Sequence, residues 1–460
     1  MGCVLIEVKE EAAGRGTRVK DTPHPAASAT HACSQRSARA NVGNGSDSRR
    51  LNSHLQLTGF SLQQAFQCRR SGQQAANSAR PTIRPMPSPR LPALDLLRAL
   101  AILWVMLFHS WIVGGLGPSW EWLSRHGWMG VDLFFALSGY LVGGQVLAAL
   151  ARGTPLRWRD FYARRAWRIV PAYAATLALY GVWPDWREAP GMAPWWTFAS
   201  FTVNLSIDYP RLSAFSHAWS LCVEEHFYLL LPLLAAALAP RATPGRVLGG
   251  LGALVLGGMA LRAWLWQRGM ATDPDMGARN WFIQDLYYPS WCRLDGLLGG
   301  LAVAMLQHFR PVAWAAVRQR AGAVGGLGLA LLAAALVLQQ DRTGLVAVAL
   351  GWPLTALAMA LLVMAAAGPE TWWGRHALPG AAPLAAMAFS LYLVHKPAYH
   401  LVQLHWGEAL QGRGLWAFAA YGAAALAAGA LMYLAVERPG LRWRDRRRRA
   451  DTAAPVAAHP

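Results

Sequence analysis

The chain is short of charge. Only 15% of its 460 residues are Asp, Glu, Lys or Arg, where a soluble globular domain carries about 25%, so it cannot cover a surface that faces water. Cysteine is scarce too: five residues, none closely spaced, which excludes a disulfide scaffold and a CxxC metal site. Cys3, Cys33 and Cys68 lie in a polar stretch and Cys222 and Cys292 in apolar runs, so the redox compartment is not readable from them. Disorder throughout is excluded by an apolar content of 54%. Acidic residues number 24 against 43 Lys and Arg, a net charge of +19. A basic total can point to nucleic acid, but these cations fall in short clusters between apolar stretches, as in a polytopic membrane protein. No nucleic-acid partner is expected.

What the chain does have begins with a polar tail. Residues 1–85 are rich in Ser, Ala, Gln, Arg and Asn without a sustained apolar period, and residues 1–90 read as a disordered N-terminal tail. A start at Met86 is the alternative. The tail has no continuous apolar h-region of a signal peptide, and Ile6 stands where a myristoylation site needs Ser or Thr. Residues 91–440 form the transmembrane domain, and residues 441–460 a basic C-terminal tail.

Ten apolar stretches are long enough to cross a hydrocarbon core of about 30 Å, roughly 20 residues each. They run approximately over 96–115, 128–150, 168–184, 217–239, 246–266, 288–308, 321–339, 345–367, 383–405 and 415–437. Residues 195–205 are too few to span and read as a re-entrant or interfacial helix. The expected class is therefore all-α, a polytopic integral membrane protein with about ten transmembrane helices. Alternate gaps differ in arginine. One set holds Arg152, Arg157, Arg159, Arg164, Arg165 and Arg168, then Arg241 and Arg246, Arg310, Arg318 and Arg320, Arg375, and Arg438 to Arg449. Cytoplasmic loops retain Lys and Arg, which puts both termini in the cytoplasm. The 23 tryptophans, many at span ends, read mostly as an interfacial belt.

Ionisable side chains within spans are costly and are functional candidates by default. Arg98 and His109, eleven residues apart on the first span, share a face at a separation of roughly 16 Å. Counting about 1.5 Å per residue from each outer span end brings His109, Glu224 and Glu225, Arg293 with Asp295, and His395 to one depth on four spans. Arg293 and Asp295 also read as a structural pair between helices, and Arg164, Arg165 and Arg168 as simple topology anchors.

Several strings then carry a resemblance: Gly130-Val-Asp-Leu-Phe-Phe-Ala-Leu-Ser-Gly139, Phe161-Tyr-Ala-Arg-Arg-Ala-Trp-Arg-Ile-Val-Pro171, His217-Ala-Trp-Ser-Leu-Cys-Val-Glu-Glu-His-Phe-Tyr228, Arg293-Leu-Asp-Gly-Leu-Leu-Gly299 and Phe389-Ser-Leu-Tyr-Leu-Val-His-Lys-Pro397. With Arg98 and His109, in this order from about Leu94 to Pro439, the chain resembles acyltransferase family 3, polytopic membrane acyltransferases acting on carbohydrates. The family's RxxR corresponds to Arg165 and Arg168. His226 departs from the family's usual Gln, and the C-terminal hydrolase-like domain of some members is not expected, since the chain ends about 20 residues after the last span.

The resemblance implies a bacterial inner-membrane enzyme that takes an acyl group, usually acetyl from acetyl-CoA, at the cytoplasmic side and transfers it to a hydroxyl of a glycan or lipid-linked sugar. Acyl-CoA is a co-substrate; no permanently bound cofactor and no metal is implied. Arg98, Arg165 and Arg168 are the expected donor-binding cations. His109 is the expected general base, with Glu225 rather than Glu224 holding its other nitrogen. Asp132, His217, Ser220, Arg293, Asp295, Tyr392 and His395 are expected to bind substrate or support the site. The rival reading is a secondary transporter with a His/Glu/Arg proton relay; a third is a structural or sensor membrane protein.

Overall fold

The computed structural model describes residues 91–110, 120–238, 243–277 and 279–453; the tail expected over residues 1–90 lies outside them. Each of the ten predicted intervals holds a helix: α1 (Pro92–Ser110), α2 (Met129–Ala151), α3 (Trp158–Val182), α4 (Trp219–Leu238), α5 (Pro244–Thr272), α6 (Asp295–Phe309), α7 (Ala321–Leu338), α8 (Trp352–Ala366), α9 (Ala381–Leu410) and α10 (Leu415–Met432). The chain is an all-α polytopic membrane protein, and no strand occurs among the described residues. Among the described residues, seven segments are long and apolar enough to cross a membrane. The predicted spans outside that set are α3, α6 and α9. α3 opens on arginines, α6 has only 15 residues, and α9 carries His395, Lys396, His400 and His405.

Three expectations change at element boundaries. α3 starts at Trp158 rather than residue 168, because arginine is a good helix former and charge does not stop a helix; Arg164, Arg165 and Arg168 therefore sit on it. α6 starts at Asp295 rather than residue 288. Pro289, which lacks an N–H and cannot continue a helix, separates a π-helical turn, Phe282–Tyr287, from a 3₁₀ turn, Ser290–Cys292. Arg293 thus lies in irregular backbone. Residues 195–205 form two short helices, Trp195–Ala199 and Val203–Ser206. The basic tail continues as α11 (Arg438–Ala453), reached through a π turn, Tyr433–Glu437.

Helices α2 and α6 pack backbone to backbone. Without a hydrophobic drive between helices in lipid, association relies on small residues that let backbones approach. A Cβ on Gly139 would fall 2.1 Å from the Leu297 carbonyl oxygen, and one on Gly300 would fall 2.0 Å from that of Ala136. Both positions therefore admit only glycine. Gly139→Leu should abolish the folded, monodisperse peak in detergent size-exclusion, whereas Gly322→Leu, at a position with open space, should elute like wild type. Equal behaviour would refute the close α2–α6 approach.

Candidate functional site

The intramembrane charges resolve into three places rather than one. The first is a quartet at the α2–α5–α6 junction. Arg293 donates to Asp132 on α2 at 2.9 Å, and Arg262 on α5 donates to Asp295 at 2.8 Å. Arg293 and Asp295 are therefore not each other's partners: two residues apart in sequence, each faces a different helix. All four are buried, Arg262 and Arg293 to within 1% and 2% exposure. The Arg293 guanidinium also sits 4.5 Å from the Trp352 ring, 4.8 Å from Tyr287, 5.5 Å from Trp219 and 5.9 Å from Trp128. These tryptophans are core, not belt; Trp120, Trp122 and Trp416 are among those that face outward.

The second place is a cavity of about 160 Å³ lined by Arg98, Arg165 and Arg168 together with Ser138, Ser220, Glu224, Tyr228 and Tyr392. The three predicted donor-binding arginines do converge, although they come from two helices. Their neutralisation is unequal. Arg98 pairs with Asp95 at 3.4 Å, and Arg168 pairs with Glu437, which is 1% exposed and also accepts from Ser390 at 2.6 Å. Arg165 makes no ion pair among the described residues, its Nε has no partner, and its guanidinium lies 6.0 Å from the Tyr228 ring. Glu224 accepts from Ser138 at 2.6 Å, and Ser138 accepts from Tyr228 at 3.0 Å.

The third place is a cavity of about 200 Å³ lined by His109, Glu188, Tyr209, Ser216, Lys396, His400 and neighbours. His109 Nδ1 and His395 Nε2 are 2.9 Å apart. The expected partner, Glu225, does not hold that nitrogen; its Oε1 is buried without a partner, because α9, rather than α4, packs against this end of α1. Glu188 pairs with Lys396 at 2.9 Å and accepts from Tyr180 at 2.7 Å. Burial opposes ionisation of Glu188, but the neighbouring Lys396 and His217 outweigh it and hold the carboxyl down to about 2.

Between the two cavities stands a polar wall. Ser220 Oγ and Tyr392 Oη are 2.5 Å apart, Tyr392 donates to the His217 carbonyl at 2.8 Å, and His217 Nε2 lies 3.1 Å from the Leu393 carbonyl. The His395 ring is 5.5 Å from His217 and 5.9 Å from Tyr392. Asp132, Arg293 and Asp295 line neither cavity, nor does His226, whose Nδ1 is 2.7 Å from Ser290 Oγ. The sequence reading passed over Arg262, Glu188, Lys396, Ser138 and Glu437. Arg262 sits sixteen residues into a predicted span and was accessible to the same rule that singled out Arg98.

Two outcomes follow from these charges. Asp132→Ala should destabilise the protein by about 3–5 kcal/mol, because it leaves the buried Arg293 without a counter-charge, and the double variant Asp132→Leu/Arg293→Met should recover much of that in detergent thermal unfolding. A single variant as stable as wild type would refute the clamp. The Glu188 carboxyl titrates near 4.3 when unfolded and at about 2 when folded, so its contribution is complete above about pH 5 and lost as pH falls toward 2. Glu188→Gln should therefore unfold at lower temperature than wild type at neutral pH, with the gap closing in acid. A gap that widens in acid would contradict the assignment.

Comparison with known proteins places these features in a lineage. A family profile described as an acyltransferase domain matches residues 91–434. The O-acetyltransferase OatA of Staphylococcus aureus (strain NCTC 8325 / PS 47) is 30% identical over 181 residues, 35% of this chain and 28% of the relative. The putative peptidoglycan O-acetyltransferase YrhL of Bacillus subtilis (strain 168) is 29% identical over 231 residues, 47% and 33%. The peptidoglycan O-acetyltransferase OatA of Listeria monocytogenes is 28% identical over 236 residues, 48% and 34%. The chain thus aligns to about a third of the length of these curated relatives. No solved structure matches it. The profile covers most of the transmembrane domain, with Arg98, His109, Arg165, Arg168 and both cavities inside it, and the chain belongs to acyltransferase family 3.

Proposed function

We propose that the chain is an O-acyltransferase of the bacterial inner membrane that moves an acetyl group from cytoplasmic acetyl-CoA to a hydroxyl of an envelope glycan. The observation that carries this reading is the pairing of an arginine-lined cavity with a histidine-lined one across a single polar wall. CoA phosphates need cations, and guanidinium groups meet them with charge-assisted, often bidentate hydrogen bonds. Arg165, unpaired beside Arg98 and Arg168, is the cation with capacity to spare. Both termini and the arginine-lined cavity then face the cytoplasm, as the arginine distribution implies.

A sugar hydroxyl is a poor nucleophile near neutral pH. An imidazole of ordinary pKa about 6.5 is the side chain best matched to take its proton in the transition state. His109 performs that step: the acceptor oxygen bonds to the thioester carbonyl carbon, the carbon–sulfur bond breaks, and the proton passes from His109 to the departing CoA sulfur. The relatives' names point to peptidoglycan as one acceptor of this class.

The test is radiolabelled acetyl-CoA supplied to inverted membrane vesicles, with label sought in glycan. Wild type should transfer label. Arg165→Gln should raise KM for acetyl-CoA about 10- to 100-fold, the size of one lost charged contact of about 1.5–3 kcal/mol, with kcat largely retained. His109→Gln should lower turnover by about 10² to 10⁴ while acetyl-CoA binding is preserved. Solute uptake without CoA dependence, and no label in glycan, would replace this reading with a transporter.

A further inference from the structure

We propose that His395 is a positioning residue that fixes the tautomer of His109, so that Nδ1 of His109 carries the proton and Nε2 is left unprotonated for the histidine-lined cavity. This rests on the acyl-transfer reading for its purpose, but its geometry is independent of it. His395 Nδ1 lies 3.0 Å from the Leu391 carbonyl oxygen and 2.9 Å from that of Tyr392. Carbonyl oxygens only accept, so this nitrogen is the N–H of the ring.

The charge state of His395 follows from its surroundings. The ring is 0% exposed, and the residue next to it in sequence is Lys396, whose single positive charge is already matched by Glu188 at 2.9 Å. His217, whose ring is 5.5 Å from it, contacts Glu188 only at 3.7 Å, and the neighbouring Tyr392 and Tyr399 are neutral phenols near neutral pH. An imidazolium at His395 would be a further buried charge without a carboxylate of its own, which is costly. A neutral ring with its proton on Nδ1 offers only a lone pair at Nε2. His109 Nδ1, 2.9 Å away, must then be the donor, and a neutral His109 has its lone pair on Nε2.

The arrangement has the logic of an acid–His pair in which the orienting group is a second imidazole. It differs in one respect. A carboxylate stabilises the imidazolium by charge, whereas neutral His395 orients His109 without adding negative charge. Its effect on rate is therefore the smaller one of an orienting partner, on the order of 10- to 100-fold.

The experiment combines nitrogen NMR with kinetics on the full chain in detergent. In protein with ¹⁵N-labelled histidine, the His109 signals, identified by their loss in His109→Gln, should show a protonated Nδ1 and an unprotonated Nε2. The reverse pattern in wild type overturns the proposal whether or not the protein transfers acyl groups. His395→Leu should lower kcat about 10- to 100-fold with little change in acceptor KM. His395→Gln, whose side-chain oxygen can still accept from Nδ1–H, should recover most of that loss. Wild-type kcat in a folded His395→Leu would also overturn it, and should that variant not fold, the wild-type spectrum decides. An Nδ1-protonated His109 in a protein that transfers no label would leave this inference standing and remove the acyl-transfer reading instead.

Discussion

The interaction on which the rest of the fold depends is the neutralisation of two arginines that no water reaches. Arg262 and Arg293 are buried among helices, and an uncompensated charge at such depth costs several kcal/mol. Each is answered by one carboxylate, Asp295 and Asp132. Because those partners lie on α5, α6, α2 and the irregular segment before α6, the four charges tie three helices together at one point. The remaining donors of Arg262 are taken by the Val348 and Cys292 carbonyls at 2.7 and 3.0 Å. Val348 sits in a π turn, Ala347–Gly351, a form that recurs at functional and strained positions. Four aromatic rings around Arg293 add cation–π attraction where water is excluded.

That clamp reaches the cavities through α2. Asp132 and Ser138 lie six residues apart on this helix, so the ion pair at its start fixes the register in which Ser138 meets Glu224 on α4. The glycine contacts with α6 hold the same register along that face, since Gly139 lies seven residues, about two turns, after Asp132. Glu437 repeats the device at the far end of the chain: a π turn puts its carboxylate between Arg168 on α3 and Ser390 on α9. Arg168 is therefore both a cavity-lining cation and a brace between helices, while Arg165, about five-sixths of a turn earlier, lines the same cavity with its Nε unpartnered.

The helices were legible in the sequence because bilayer thickness sets their length, and each predicted interval holds one. Arg98, Arg165 and Arg168 were legible as a group through the family resemblance, since by charge alone Arg165 and Arg168 also read as topology anchors. Partnership was not. Depth along a span says how high a side chain sits, not which neighbour it faces, so depth pairs Glu225 with His109 although α9 supplies the contact, and Arg293 with the nearby Asp295 although each reaches a different helix. Glu188 was out of view for another reason. It belongs to a loop after α3, and only the folded chain brings it against Lys396 on α9.

The sizes of the cavities constrain how the proposed reaction is divided. The arginine-lined cavity, about 160 Å³, is well below the roughly 300–1,000 Å³ of sites that enclose a drug-sized ligand, so under the proposed reaction it would take only the narrow thioester end of a CoA, with the nucleotide outside it. On the other side, the histidine-lined cavity shares Glu188, Ala189 and His400 with an adjoining, more open space of about 400 Å³, which is room of the scale a sugar ring needs. Arg98 and His109 occupy a single helix at a separation of roughly 16 Å, so in the proposed reaction α1 would set the distance between its two ends. The proposed transfer would then require that the Ser220–Tyr392 contact open to the thioester. On this proposal the acyl group would cross on the reach of its carrier.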